Sequence, residues 1–184
     1  MSIELIIILV IVVLVLLAIA ALYNNLVTLR NMVDNAWAQV DVQLQRRFDL
    51  IANLVETVKG YAAHEKGTFE EVAKARSLYM GANSPAEKME ASNMLTSTLK
   101  TLFAVSEAYP ELKANTNFLE LQAELSKTED KISYMRQSFN DTVMKYNTAI
   151  QTIPAVFFAG MMGFTKRESF DAVPEAEVAP KVQF

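Results

Sequence analysis

The sequence predicts an all-α protein: an N-terminal transmembrane helix followed by an antiparallel, up-and-down four-helix bundle with long coiled-coil-like helices. Three observations carry that expectation. Residues 5–22, LIIILVIVVLVLLAIAAL, contain no charged or polar side chain. Gly and Pro number five each in 184 residues, too few for strands joined by frequent turns, while good helix formers are plentiful. From Phe118 an apolar seam alternates by three and four through Leu121, Leu125, Thr128, Ile132, Met135, Phe139, Thr142, Tyr146, Ala149 and Ile153, the pattern of a long bundle helix.

At about 1.5 Å per residue the first run covers roughly 27 Å, close to the hydrocarbon thickness of a bilayer. A cleaved signal peptide is the competing reading, because AIA at 18–20 offers small residues for cleavage. The n-region MSIE, however, carries Glu4 and no Lys or Arg, and the apolar run exceeds the roughly 7–15 residues of an ordinary signal core. A buried soluble helix is the third reading, but so continuous an apolar surface needs more surrounding protein than the rest of the chain supplies. An uncleaved anchor is therefore expected, with the lipid bilayer as partner of residues 5–22. Arg30, Arg46, Arg47 and Lys59 all follow the span and no Lys or Arg precedes it. That asymmetry places the N-terminus outside and the bulk of the chain in the cytoplasm.

The chain divides into three segments: an anchor at 1–23, a helical bundle at 24–164, and a polar, flexible C-terminal tail at 165–184. The helical pattern runs past the anchor through Leu26, Leu29 and Val33, then Trp37, Val40, Leu44, Ile51, Leu54 and Val58, to Gly60. Gly60, Gly67 and a capping-box spacing at Thr68 and Glu71 predict a break between about 60 and 68. With the break, the fourth helix returns residues 155–164 to the bilayer side; if residues 24–80 instead form one helix, that segment ends far from the membrane. Ser84, Pro85 and Glu87 predict a helix start, and Tyr109-Pro110 its stop. Asn117 with Glu120 opens the last helix, which ends before Pro154.

Chemistry has no visible address. The chain lacks cysteine and has a single histidine, His64, with no Glu three residues before it and no second His after it, so neither di-iron nor zinc-protease helices can be assembled. No Gly-x-Ser-x-Gly and no phosphate-cradling loop occurs. A net charge of −4 without a basic run argues against nucleic acid. No enzyme activity and no cofactor are expected. The methionines, Met80 and Met89 among them, read as core filling, with an adaptable peptide groove as the alternative.

One residue breaks the pattern. Arg47 stands on the seam of the first helix where a methyl group is called for. A polar layer against Glu124, Thr128 and Glu129 of the last helix would make it a register pin, whereas snorkelling over the apolar stripe is the bland alternative. Arg46 points elsewhere and can pair with Asp49 at i,i+3. The second unexplained feature is AVFFAGMMGF at 155–164, too short to span a membrane. It either closes the end of the bundle or carries Phe157, Phe158, Met161 and Met162 to lipid or a neighbouring subunit.

The stretch YNNLVTLRNMVDNAWAQVDVQLQRRFDLIANLVETVKGYAAHE, followed in order by ARS, YPELKANTNFLELQAELSKTEDKI, KYN and IPAVFFAGMMGF, resembles the LemA family from Tyr23 to Phe164. It departs from that family at Ala52, where a proline is usual. The resemblance implies a single N-terminal membrane helix, a cytoplasmic four-helix bundle of bacterial origin and no established enzymatic activity. The motif positions it carries over are Trp37, Asp41, Arg46, Arg47, Asp49, Asn53, His64, Glu65, Tyr109, Pro110, Asn115, Phe118, Glu129 and Tyr146, with no biochemical role implied for each. The expected protein is thus a non-enzymatic, single-pass scaffold of the bacterial inner membrane, acting by self-association or by binding another membrane protein. A ligand-binding or accessory enzyme bundle, with an inward polar site of Asp41, Arg47, Asp49, His64 and Glu129, is the alternative.

Overall fold

The computed structural model describes residues 2–62 and 64–170. The described residues form five α-helices, one 3-10 turn and no strand. Helix α1, Ile3–Lys59, is uninterrupted for 57 residues. It is the one helix among the described residues long and apolar enough to cross a membrane. Residues 3–18 are exposed throughout, and burial begins further along the same helix.

The chain breaks after Lys59, where the Tyr61 and Ala62 amides both turn back to the Val58 carbonyl. The break expected between 60 and 68 is present, but Thr68 does not cap the next helix. Helix α2, Lys66–Gly81, has already begun: the Phe69 amide reaches the Glu65 carbonyl, and Thr68 is buried inside the first turns. Ser84, by contrast, caps α3 as its spacing predicts. Its Oγ accepts the Glu87 amide at 3.2 Å while Glu87 Oε2 accepts the Ser84 amide at 3.3 Å, and Pro85 occupies the first helical position, where no amide is needed.

Helix α3 spans Pro85–Glu107, and Pro110 then opens a one-turn helix, α4, Pro110–Lys113. Asn115, not Asn117, caps the last helix, because its Oδ1 accepts the Phe118 amide at 3.0 Å. The first turn therefore starts at Thr116, and α5 covers Thr116–Gln151.

Two compact units are built from these elements, one from residues up to Ala36 with Ser138–Ser169, the other from Trp37–Gln137 with Phe170. In the first, Leu26, Val33, Phe139, Val143, Tyr146 and Ile150 supply the core. In the second, Val40, Leu44, Ile51, Leu54 and Val58 of α1 are buried as the three-four reading requires, joined by Phe48 and by Leu95, Leu99 and Leu102 of α3. Each such side chain contributes about 1.5–3 kcal/mol of transfer free energy. The seam of α5 follows its prediction to Phe139 and then slips, burying Val143 and Ile150 while Ile153 is 78% exposed. A straight helix drifts by about 20° per heptad against a strict 3.5-residue repeat, and one extra step of four restores the buried face.

The tail expected from 165 starts with contacts. In the first unit the Tyr146 hydroxyl donates to the Thr165 carbonyl at 2.9 Å, Asn147 exchanges two hydrogen bonds with the Arg167 backbone, and Arg167 Nη2 lies 3.1 Å from Asp34. In the second unit Phe170 is buried against Trp37, ring centroids 5.9 Å apart, with the Arg136 guanidinium 4.4 Å from its ring centre. The flexibility expected of residues 171–184 lies outside the described residues.

Candidate functional site

The arginine on the seam is buried. Arg47 is 1% exposed; its two terminal nitrogens are hydrogen-bonded and its Nε is held by an ion pair alone. Nε lies 2.5 Å from Glu129 Oε1 on α5. Nη1 donates to the hydroxyl of Ser92 at 3.0 Å and to its carbonyl at 3.2 Å, and Nη2 donates to the Thr96 hydroxyl at 2.8 Å. The guanidinium fork therefore joins α1 to α3 and α5, a geometry that a lysine ammonium could not reproduce.

Burial disfavours charge on both partners. It pushes the Arg47 pKa down and the Glu129 pKa up, and the attraction between them opposes each shift. Arg136, whose own pKa burial lowers, adds a second cation near Glu129 and donates to Asn93 Oδ1 at 3.3 Å.

The structure separates the other predicted members of this layer. Thr128 is buried, but its hydroxyl donates to the Glu124 carbonyl one turn back on its own helix at 2.8 Å. Glu124 pairs with Arg46, 2.8 Å away, and with Lys127 at 2.9 Å, both at the surface. The expected Arg46–Asp49 pair is replaced by that cross-helix contact, and Asp49 accepts instead from Gln45 Nε2 at 3.2 Å. Glu124 reaches Arg46 from the neighbouring helix and leaves no need for the weaker i,i+3 geometry. Ser92 and Thr96 were not singled out by sequence reasoning. Their signal was one helical turn of spacing between two hydroxyls, on a helix that also carries Ser97, Thr98 and Thr101.

A second closed network joins α1 to α2 and α3. The Tyr79 hydroxyl of α2 donates to Asp41 Oδ1 at 2.7 Å, and Lys88 Nζ of α3 donates to both Asp41 oxygens at 2.8 Å. The Tyr79 ring stacks on Phe48 with centroids 4.2 Å apart. Burial first, then the Asp41 carboxylate, raises the Tyr79 pKa above its ordinary value near 10. Between pH 10 and that raised value the folded chain keeps a proton that the unfolded chain releases, so stability is intact below pH 10 and declines as pH rises through the folded pKa. Urea melts at pH 10 to 11.5 should show a loss of up to about 1.4 kcal/mol per pH unit that Tyr79→Phe abolishes.

His64 is exposed, and Asp41, Arg47 and Asp49 each have separate partners, so the five residues of the alternative polar site are not brought together on one cavity. A groove of about 450 Å³ between α1 and α2 is lined instead mainly by apolar side chains such as Phe48, Ile51, Val55, Phe69 and Met80, with Ala52 at its wall and Glu56, Lys59 and Arg76 among its polar members. Met89 is core, as expected, whereas Met80 is exposed along the groove.

In the first unit the segment after α5 is held from within. Ala155, Ala159 and Phe164 are buried, the Phe164 amide returns to the Ala159 carbonyl at 2.9 Å, and Gly163 takes the left-handed φ of 77° that the turn requires. Phe164 meets Tyr23 edge to face at 5.7 Å, and the Arg30 guanidinium lies 5.4 Å over its ring. The predicted contact residues divide: Phe158 and Met162 are half-buried, while Phe157 and Met161 are 66% and 81% exposed.

Comparison with known proteins gives one family and a few relatives. The model of the LemA family matches residues 36–184. Magnetosome protein MamQ of Magnetospirillum gryphiswaldense is 25% identical, the match covering 84% of this chain and 66% of that protein. MamQ 1 of Paramagnetospirillum magneticum is 24% identical over the same shares. Protein LemA of Metamycoplasma hominis is 26% identical, with 70% of this chain and 59% of that protein covered. The chain thus spans just under two thirds of the magnetosome relatives.

Proposed function

Because this chain belongs to the LemA family, we propose that it is a non-enzymatic single-pass protein of a bacterial inner membrane. Its helices beyond the anchor would form an up-and-down four-helix bundle in the cytoplasm, acting as a scaffold by self-association or by holding another membrane protein. The observation that carries this reading is α1: its first sixteen residues, 3–18, are apolar apart from Glu4 and wholly exposed, while the same unbroken helix goes on to supply buried side chains. In water that surface would be an association hazard; in a bilayer it is satisfied. The placement of Arg30, Arg46, Arg47 and Lys59 after the span supports the cytoplasmic side.

The polar residues support a scaffold over a ligand site. A binding or catalytic constellation presents unpaired groups to a cavity, whereas Arg47 and Glu129 form an ion pair, Arg47 also donates to Ser92 and Thr96 of α3, and Asp41, Tyr79 and Lys88 are joined by hydrogen bonds.

Native mass spectrometry of the full chain released from detergent micelles tests the reading. The expected result is more than one chain per particle, or a second membrane protein at fixed stoichiometry. A lone chain carrying a small-molecule ligand would replace the scaffold by the binding alternative. Protease added to cells with the outer membrane opened should leave the helical domain uncut, and its digestion there would reverse the orientation.

A further inference from the structure

Residues 153–162 carry an apolar surface that the fold does not use. Ile153, Val156, Phe157 and Met161 are 78%, 45%, 66% and 81% exposed, although Ala155 and Ala159 of the same segment, and Phe164 just beyond it, are buried and fix its backbone. The segment is neither a loose end nor a plug. One face is anchored and the other is presented.

Its location says what covers that face. Phe164 packs on Tyr23, the first residue after the apolar run, and on Arg30, two turns further along α1. On α1 itself, residues 3–18 are exposed, Ile19 and Leu22 are half-covered, and Leu26 is fully buried. The part of this unit contributed by Ser138–Ser169 therefore reaches the first residue after the stretch that would lie in hydrocarbon. A bilayer thick enough to cover residues 5–22 ends where this segment begins, since 18 residues rise only about 27 Å.

We infer that residues 153–162 make a second membrane contact, with Ile153, Val156, Phe157 and Met161 entering the headgroup and acyl boundary of the bilayer that α1 crosses. Apolar and aromatic side chains on a short non-spanning segment suit that depth, and Tyr23 has the amphipathic ring that favours the same zone. Lys166, just beyond the segment, and Arg30, over the Phe164 ring, offer positive charge to anionic headgroups. A bilayer is favoured over a second copy because the anchor already holds the segment beside lipid, so no further partner has to be brought to it. The inference rests on α1 being a membrane anchor.

The chain has no cysteine, so single cysteines at Leu14, Met32, Phe157 and Met161 can carry an environment-sensitive fluorophore in full-length protein. The vesicles are phosphatidylcholine with phosphatidylglycerol, with and without doxyl-labelled lipid. Leu14 reports the anchor, and Met32, exposed on α1 about 15 Å beyond Leu22, reports water. Quenching by doxyl lipid at 157 and 161, severalfold above that at 32, is the expected result. Phe157→Trp with brominated lipid repeats the measurement without a bulky label. If 14 is quenched while 157 and 161 stay open to iodide, the inference falls and the anchor stands. If they are shielded from iodide yet not quenched by lipid, a second copy covers them and the inference again falls. Absence of quenching at 14 overturns the anchor itself.

Discussion

Arg47→Ala should lower the stability of the helical domain by more than about 2 kcal/mol, the largest effect expected of any polar change in this chain. The loss comes less from the pair itself than from what the deletion leaves behind. Glu129, whose side chain is 37% exposed, would lose its nearest counter-charge and keep only the more distant Arg136, and the Ser92 and Thr96 hydroxyls would lose their donor. Arg46→Ala, one position away, should change stability by less than about 1 kcal/mol, because the Arg46–Glu124 pair is open to water and Glu124 keeps Lys127. Urea denaturation of the two variants separates the cases, and comparable small losses would mean that Arg47 is not held as described. In a double-mutant cycle, Arg47 with Glu129 should show strong coupling and Arg47 with Glu124 little.

Phe170→Ala should cost about 3 kcal/mol, near the lower end of the range for deleting a buried phenylalanine. The ring is 5% exposed, tilted against Trp37 and beneath the Arg136 guanidinium. Removing it takes away apolar burial and a cation contact at once. Phe170→Leu should recover most of the burial but not the contact with Arg136, leaving a deficit on the order of 1 kcal/mol. Thermal melts followed by near-ultraviolet circular dichroism would report both the stability and the surroundings of Trp37, the single tryptophan. An unchanged Trp37 signal in Phe170→Ala would show that the ring does not sit there in solution.

The two predictions differ in how far the sequence announced them. Periodicity exposed Arg47 because a helix seam has a fixed repeat and a guanidinium interrupts it visibly. It also narrowed the cross-helix partner to Glu124 or Glu129, since those flank the seam of α5. Which of the two pairs depends on the rotation of one helix against another, and no one-dimensional pattern holds that angle. Ser92 and Thr96 were hidden for a related reason: a hydroxyl is common on either face of a helix, and only packing decides which face it is. Phe170 could not be found by periodicity at all. It stands outside any helix, in a stretch whose polarity suggested a solvated tail.

Helix ends show the same division. Ser84, Pro85 and Glu87 specify a start by local chemistry, and the structure uses all three. At Thr68 and Asn117 the same spacing occurs without effect, because Lys66 and Thr116 have already entered the helix. A capping residue acts only where the preceding chain leaves the helix, which is a question of path. The closing segment after α5 was legible as apolar and too short to span. That Phe157 and Met161 face outward while Ala155 and Ala159 face inward required the turn at Gly163 to be built.

The guanidinium at position 47 also ties together the histories of four positions that are far apart in the chain. Arg47, Ser92, Thr96 and Glu129 lie on three helices; replacing Arg47 or Glu129 alone breaks the ion pair, and replacing Ser92 or Thr96 alone takes one hydrogen bond from the guanidinium. An apolar layer in their place could be as stable or more so, yet every first step towards it passes through a weakened intermediate. Lineages descending from this chain would then keep the four together or exchange them together. Arg47→Lys, a substitution tolerated at most surfaces, would be among the least accessible changes, for an ammonium cannot address α3 and α5 simultaneously from one point on α1.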